Sequence, residues 1–173
     1  MDRHQQERQM ENMMKKPVLG KKVGIIHLQM VREEKYLYGM GRFSKAEEAV
    51  EMVNPLLMMS DRETMVVMSL TVNMEPLALE IVAVGGTTSC QIGIGNIFKH
   101  ALLNNAARIV CFHNHPSGDP APSGEDRLFT RRVQKAGDLL GIELTDHIII
   151  GHRKFYSFHE HGVLPCTGPG GTA

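Results

Sequence analysis

The sequence predicts an α/β protein of α+β character, with a mixed sheet flanked by helices. Three observations carry that expectation. Segments of strand and helix character follow one another in the order β-α-β-β-α-β-α-β-β. Some strands are adjacent in sequence across a short turn, which favours a mixed sheet over a doubly wound parallel one. The 173 residues suffice for one core and little more, and 42% of them are hydrophobic. Trp is absent and aromatics are 5%, so the core must be aliphatic, with 12 Met as adaptable filler.

Residues 1–20 are polar and Met-rich and read as partly helical. Val23 to Met30 reads as a first strand, and 34–43, with Gly39 and Gly41, as a loop. Ser44-Lys-Ala-Glu47 is a capping-box sequence. The helical period of Ala46, Ala49, Val50, Val53 and Leu57 then predicts a helix over 45–58. Thr64 to Val72 is apolar and β-branched and reads as a central strand. Asn73-Met-Glu-Pro76 turns it into an antiparallel partner, Leu77 to Val84. A Thr/Ser/Gly loop over 87–95 precedes a helix over 96–105, and Arg108 to Phe112 is the next strand.

Ser123 can cap a helix over 124–140. Its apolar side reads as Leu128, Val133, Ala136, Leu139 and Leu140, and Gly141 stops it. Ile142 to Ile150 and Phe155 to Phe158 are the closing strands. The domain expectation is a polar extension over 1–22, a domain over 23–163 and a disordered Gly/Pro tail over 164–173.

Lys plus Arg equals Asp plus Glu at 19 each, so the net charge is 0. A dedicated nucleic-acid binder carries a basic excess, and DNA is therefore not the expected partner. No apolar run reaches the ~18 residues of a membrane span, and the N-terminus has no apolar stretch of signal type. Cys90, Cys111 and Cys166 are an odd, widely spaced set. They argue against a disulfide framework and for a reducing, cytoplasmic setting, with Cys111 a buried small hydrophobe.

The chemistry concentrates in IVCFHNHPSGDPAPSGED, Ile109 to Asp126. Side chains at i and i+2 of a strand share a face, so His113 and His115 can converge on one point. The following loop has room to bring Asp126 back to that point. Two His and one carboxylate, with a fourth position left for water, is a catalytic zinc ligand set. A closed structural site fits less well, because no cysteine pair is near. Pro116, Pro120 and Pro122 restrict the loop. Asp119 reads as a turn residue, with a bond to a His ring nitrogen as the alternative. Asp146 and His147 read as residues of a strand start, with approach to the site as the alternative.

His113, His115, Ser123 and Asp126 match the JAMM signature H-x-H-x7-S-x2-D, and the wider text resembles the RadC-like branch of the JAB/MPN superfamily. Asp146-His-Ile-Ile-Ile-Gly151 and Phe155-Tyr-Ser-Phe158 resemble that branch's C-terminal strands. The resemblance runs from about Val23 to Val163. It implies a curved mixed sheet between helices, of cytidine-deaminase-like architecture, with one Zn²⁺ per chain at its edge. It implies a metallopeptidase or isopeptidase acting on a peptide or protein substrate.

By the same resemblance, Glu63 is the base that accepts a proton from water, with Glu75 and Glu80 as rivals. Ser123 would help stabilise an oxyanion as well as cap its helix. Two departures are expected. Gly93-Ile94 stands where relatives often carry His-Pro, and the N-terminal helix-hairpin-helix region of full-length relatives has no counterpart here. Two other readings stand beside the enzyme. One is a nucleic-acid-associated protein of repair or a mobile element; the other is a non-catalytic interaction domain, against which the full ligand set argues.

Overall fold

The computed structural model describes residues 3–15, 41–57, 60–85 and 92–164. The expected strand over 23–30, residues 87–91 of the expected loop, Cys90 and Cys166 lie outside them. The chain divides into two compact units, Met1–Glu34 and Lys35–Ala173. In the first, helix α1 spans Arg3–Met14, matching the partly helical reading of that segment.

The second unit contains α2 (Ala46–Leu57), β1 (Thr64–Leu70), β2 (Pro76–Val84), α3 (Ile94–Leu103), β3 (Arg108–Asn114), α4 (Gly124–Leu140), β4 (Glu143–Ile150) and β5 (Phe155–Ser157). The strands form one five-stranded sheet in the order β2-β1-β3-β4-β5. β1 pairs antiparallel with both β2 and β3, and β4 antiparallel with β5. β3 and β4 are parallel, because α4 carries the chain back between them. The mixed sheet expected from the element order is the one observed.

Alternation along the strands gives the sheet two buried faces. Met65, Val67, Ile109, Cys111 and Ile149 pack with Ile97 and Phe98 of α3 and Phe129 and Val133 of α4. Val66, Met68, Val110, Phe112 and Ile148 pack on the other face with Ala49, Met52, Val53 and Leu57 of α2. β1 is buried along its whole length, as a strand covered on both faces must be. Cys111 is fully buried, and burial followed by the charge of Asp146 pushes its thiol pKa up. It is an inert filler of the core.

Three helix expectations are corrected, the first being that α3 spans Ile94–Leu103 where 96–105 was expected. The reciprocal cap of α2 uses Glu48, whose carboxylate accepts from the Ser44 amide at 2.7 Å, in place of Glu47. The helix begins at Ala46, one residue later than the capping-box reading placed it. The inward stripe of α4 is Asp126, Phe129, Thr130, Val133 and Gly137. Leu128, Leu139 and Leu140, expected inward, are exposed, Leu139 at 89%. Apolarity misassigned this face because Asp126 and Thr130 turn toward a polar centre. Gly137 also faces inward, and a Cβ there would lie 2.3 Å from the Ile142 carbonyl, so the position takes glycine. The helix bounds match the expected 124–140, with Ser123 as N-cap and Gly141 in the left-handed region as C-cap.

Candidate metal centre

The antiparallel register of β1 and β3 sets Met65 opposite His113. Continued outward, it places Asn114 opposite Thr64 and His115 opposite Glu63. Residues 63, 65, 113 and 115 therefore share one face by simple alternation. α4 begins over that face. As the third residue of the helix, Asp126 closes a capping box with Ser123. Its Oδ2 accepts from the Ser123 amide at 2.8 Å and from Ser123 Oγ at 2.6 Å. In return, Ser123 Oγ accepts from the Asp126 amide at 3.1 Å.

Glu63, His113, His115 and Asp126 each bring one ligand atom into a group whose members all lie within 4.8 Å of one another. The two Nε2 atoms are 3.0 Å apart. Asp126 Oδ1 is 3.3 Å from His113 Nε2, and Oδ2 is 3.6 Å from His115 Nε2. Tetrahedral coordination with bonds of ~2.0–2.1 Å separates its ligands by about 3.4 Å. The observed spacings bracket that value, so the donor set fits a zinc-sized cation.

Electrostatics agree. Burial alone would raise the carboxyl pKa of Asp126, but the adjoining rings of His113 and His115 and the hydrogen bond from Ser123 override it and hold the pKa far below the usual carboxylate range. The neighbouring Asp126 carboxylate raises His115 above its ordinary value, against the opposing effect of burial. The cluster favours positive charge at its centre.

The surroundings hold each donor in place. His115 Nδ1 lies 2.8 Å from the Asp119 carbonyl. Asp119 thus reaches a ring nitrogen through its main chain, while its side chain makes the expected turn by accepting from the Ala121 amide. The loop is pressed against the turn after β4, where His152 donates its amide to the Gly118 carbonyl at 2.8 Å. At Gly151 a Cβ would lie 2.4 Å from that carbonyl and 2.7 Å from Pro120 Cδ, so only glycine fits. Asn114 Oδ1 accepts from the Thr64 amide at 2.7 Å and its Nδ2 donates to the Arg62 carbonyl at 3.0 Å. These bonds straddle Glu63.

The rival bases are placed elsewhere. Glu80, on β2, has a carboxylate oxygen 2.9 Å from His100 Nδ1. Glu75 follows the opposite end of β1 from Thr64. The strand-start reading of His147 is corrected. It is the fifth residue of β4, fully buried, with Nε2 2.9 Å from His113 Nδ1 and Nδ1 2.7 Å from Thr130 Oγ1. Burial lowers its pKa well below the ordinary value. Asp146 is structural. It accepts from Ser157 Oγ at 2.5 Å and from the amides of His147 and His159. Sequence reasoning also missed Thr130 and Asn114. Gly93 is the N-cap residue of α3 and Ile94 its first residue.

Residues 43–163 match the RadC-like JAB domain family. The chain belongs to that family. UPF0758 proteins are similar to it. One from Listeria monocytogenes is 42% identical over 118 residues, 68% of this chain and 53% of the relative. One from Thermotoga maritima is 39% identical over 104 residues, 60% of this chain and 47% of the relative. One from Bacillus licheniformis is 53% identical over 83 residues, 48% of this chain and 37% of the relative. The chain thus spans about half the length of the Listeria relative. The matched segment of this RadC-like chain contains all four members of the ligand cluster. No helix among its described residues is long and apolar enough to cross a membrane.

Proposed function

We propose that the protein is a zinc-dependent hydrolase of JAMM type that cleaves amide or isopeptide bonds in a peptide or protein substrate. The observation that carries this reading is the convergence of Glu63, His113, His115 and Asp126 within 4.8 Å. His113, His115 and Asp126 would hold the cation. A zinc ion there supplies Lewis acidity, lowering the pKa of water from about 15.7 toward ~7.

Glu63 takes the proton of the attacking water and returns it to the leaving nitrogen, which needs a carboxylate within one water of the site. Its partly exposed position suits this, because the proton must be exchanged at the substrate's side. Ser123 directs its hydroxyl hydrogen at Asp126 Oδ2 in this structure. Oxyanion stabilisation by Ser123 therefore requires the hydroxyl to turn toward substrate, leaving Asp126 Oδ2 with the Ser123 amide. The zero net charge supports a peptide over duplex DNA as substrate.

The test uses Glu63→Gln and Asp126→Asn with a quenched fluorescent peptide library. Glu63→Gln should keep its zinc and lower hydrolysis by roughly 10²–10⁴-fold. Asp126→Asn should lose zinc itself, because a ligating charge is removed. Full activity in Glu63→Gln, or equal zinc loss in both variants, would mean that the base is another residue.

A further inference from the structure

His113 offers Nε2 to the cluster, and its other nitrogen points into the core, toward His147. Two tautomers of a neutral imidazole are available, and only the one with a bare Nε2 can bind a metal through that atom. The hydrogen bonds behind His113 select between them.

Thr130 has one hydroxyl hydrogen. Its 2.7 Å contact with the Asp126 main-chain carbonyl takes that hydrogen, since a carbonyl can only accept. In its 2.7 Å contact with His147 Nδ1 the Thr130 oxygen must therefore accept, so Nδ1 carries the hydrogen. His147 is fully buried, stacked on Phe158 at 5.0 Å and met by the edge of Phe129 at 5.5 Å. A neutral ring with hydrogen on Nδ1 has a bare Nε2. That atom is 2.9 Å from His113 Nδ1, which must be the donor. A neutral His113 is then left with an unprotonated Nε2, 3.0 Å from His115 Nε2 and 3.3 Å from Asp126 Oδ1.

We infer that Thr130 and His147 are positioning residues that fix His113 in the tautomer able to bind the cation through Nε2. This rests on the metal reading of the site and deepens it. The relay starts on α4, four residues beyond Asp126, and ends on β3, so one chain of hydrogen bonds sets a ligand on each element. A neutral ring behind His113 also orients the ligand without adding negative charge to it, unlike the carboxylate often found in that place.

The relay is read in the full chain with histidine labelled with ¹⁵N, first without metal. Long-range ¹H–¹⁵N correlations should show hydrogen on Nδ1 of both His113 and His147. Hydrogen on Nε2 of His147 would overturn the inference. Zinc affinity is then measured by competition with a chromophoric chelator. Thr130→Val keeps the side-chain volume but removes the hydroxyl, and should weaken zinc binding by roughly 10–100-fold, whereas Thr130→Ser should recover most of it. Wild-type affinity in Thr130→Val would also overturn the inference. If Thr130→Val fails to fold, the wild-type tautomers decide. Absence of any zinc binding in the wild type would remove the metal reading, while the tautomers would still judge the relay.

Discussion

Replacing Asn114 by Ala separates the positioning of Glu63 from the holding of metal. Asn114 lies between the two histidines but points its amide at the main chain on either side of Glu63. The truncation removes the acceptor of the Thr64 amide, a group on a residue only 3% exposed. Leaving that amide without a partner costs about 1–3 kcal/mol. The Arg62 carbonyl also loses a donor, but it still accepts from Ser60 Oγ at 2.8 Å and Thr64 Oγ1 at 3.3 Å, so it adds little.

For a domain of this size, about 1–3 kcal/mol lowers the melting temperature by roughly 3–9 °C. His113, His115 and Asp126 are untouched, so zinc content should stay at the wild-type level while hydrolysis falls with the loosened base. Asn114→Asp keeps an acceptor for Thr64 but faces the Arg62 carbonyl without a hydrogen, so it should fall between Ala and wild type. Scanning calorimetry with elemental analysis of the same samples reads both effects. An unchanged melting temperature, or zinc lost as completely as in Asp126→Asn, would refute the reasoning.

Gly151→Ala should push the 116–122 loop off the turn after β4, because its Cβ would meet backbone at 2.4 Å. A cost of about 1–3 kcal/mol and weaker zinc binding are expected, whereas Gly124→Ala, which meets nothing within 4 Å, should be neutral or slightly stabilising; denaturant melts with zinc titration compare them. On α4, Val133→Ala removes a fully buried side chain and should cost about 1–3 kcal/mol. Leu139→Ala should stay within about 0.5 kcal/mol, since Leu139 faces solvent; the reverse order in urea melts would restore the apolar-face reading of this helix.

The histidine pair was legible because a period of two is a local property of a strand, and H-x-H needs no knowledge of the fold. The sheet was legible because its central strands are short apolar runs bounded by recognisable turn residues, which is also local information. Glu63 was readable only through resemblance, because its approach depends on the register of two strands separated in sequence by β2 and α3. The face of α4 was misread where hydrophobicity and function diverge. Its inward stripe contains Asp126, Thr130 and Gly137, while three leucines lie outside. His147 and Thr130 meet across the parallel β3–β4 crossover, a contact that no spacing within either element announces. Asn114 was hidden by its neighbours, since alternation points it away from the histidine face.

The central claim is that one divalent cation sits among these side chains, and anomalous diffraction at the zinc edge tests it most directly. Crystals of protein purified without chelator should show a single peak within ~2.0–2.2 Å of His113 Nε2, His115 Nε2 and an Asp126 oxygen. Crystals supplied with zinc that show no peak there, or a peak elsewhere that none of His113, His115 and Asp126 ligates, would contradict the account.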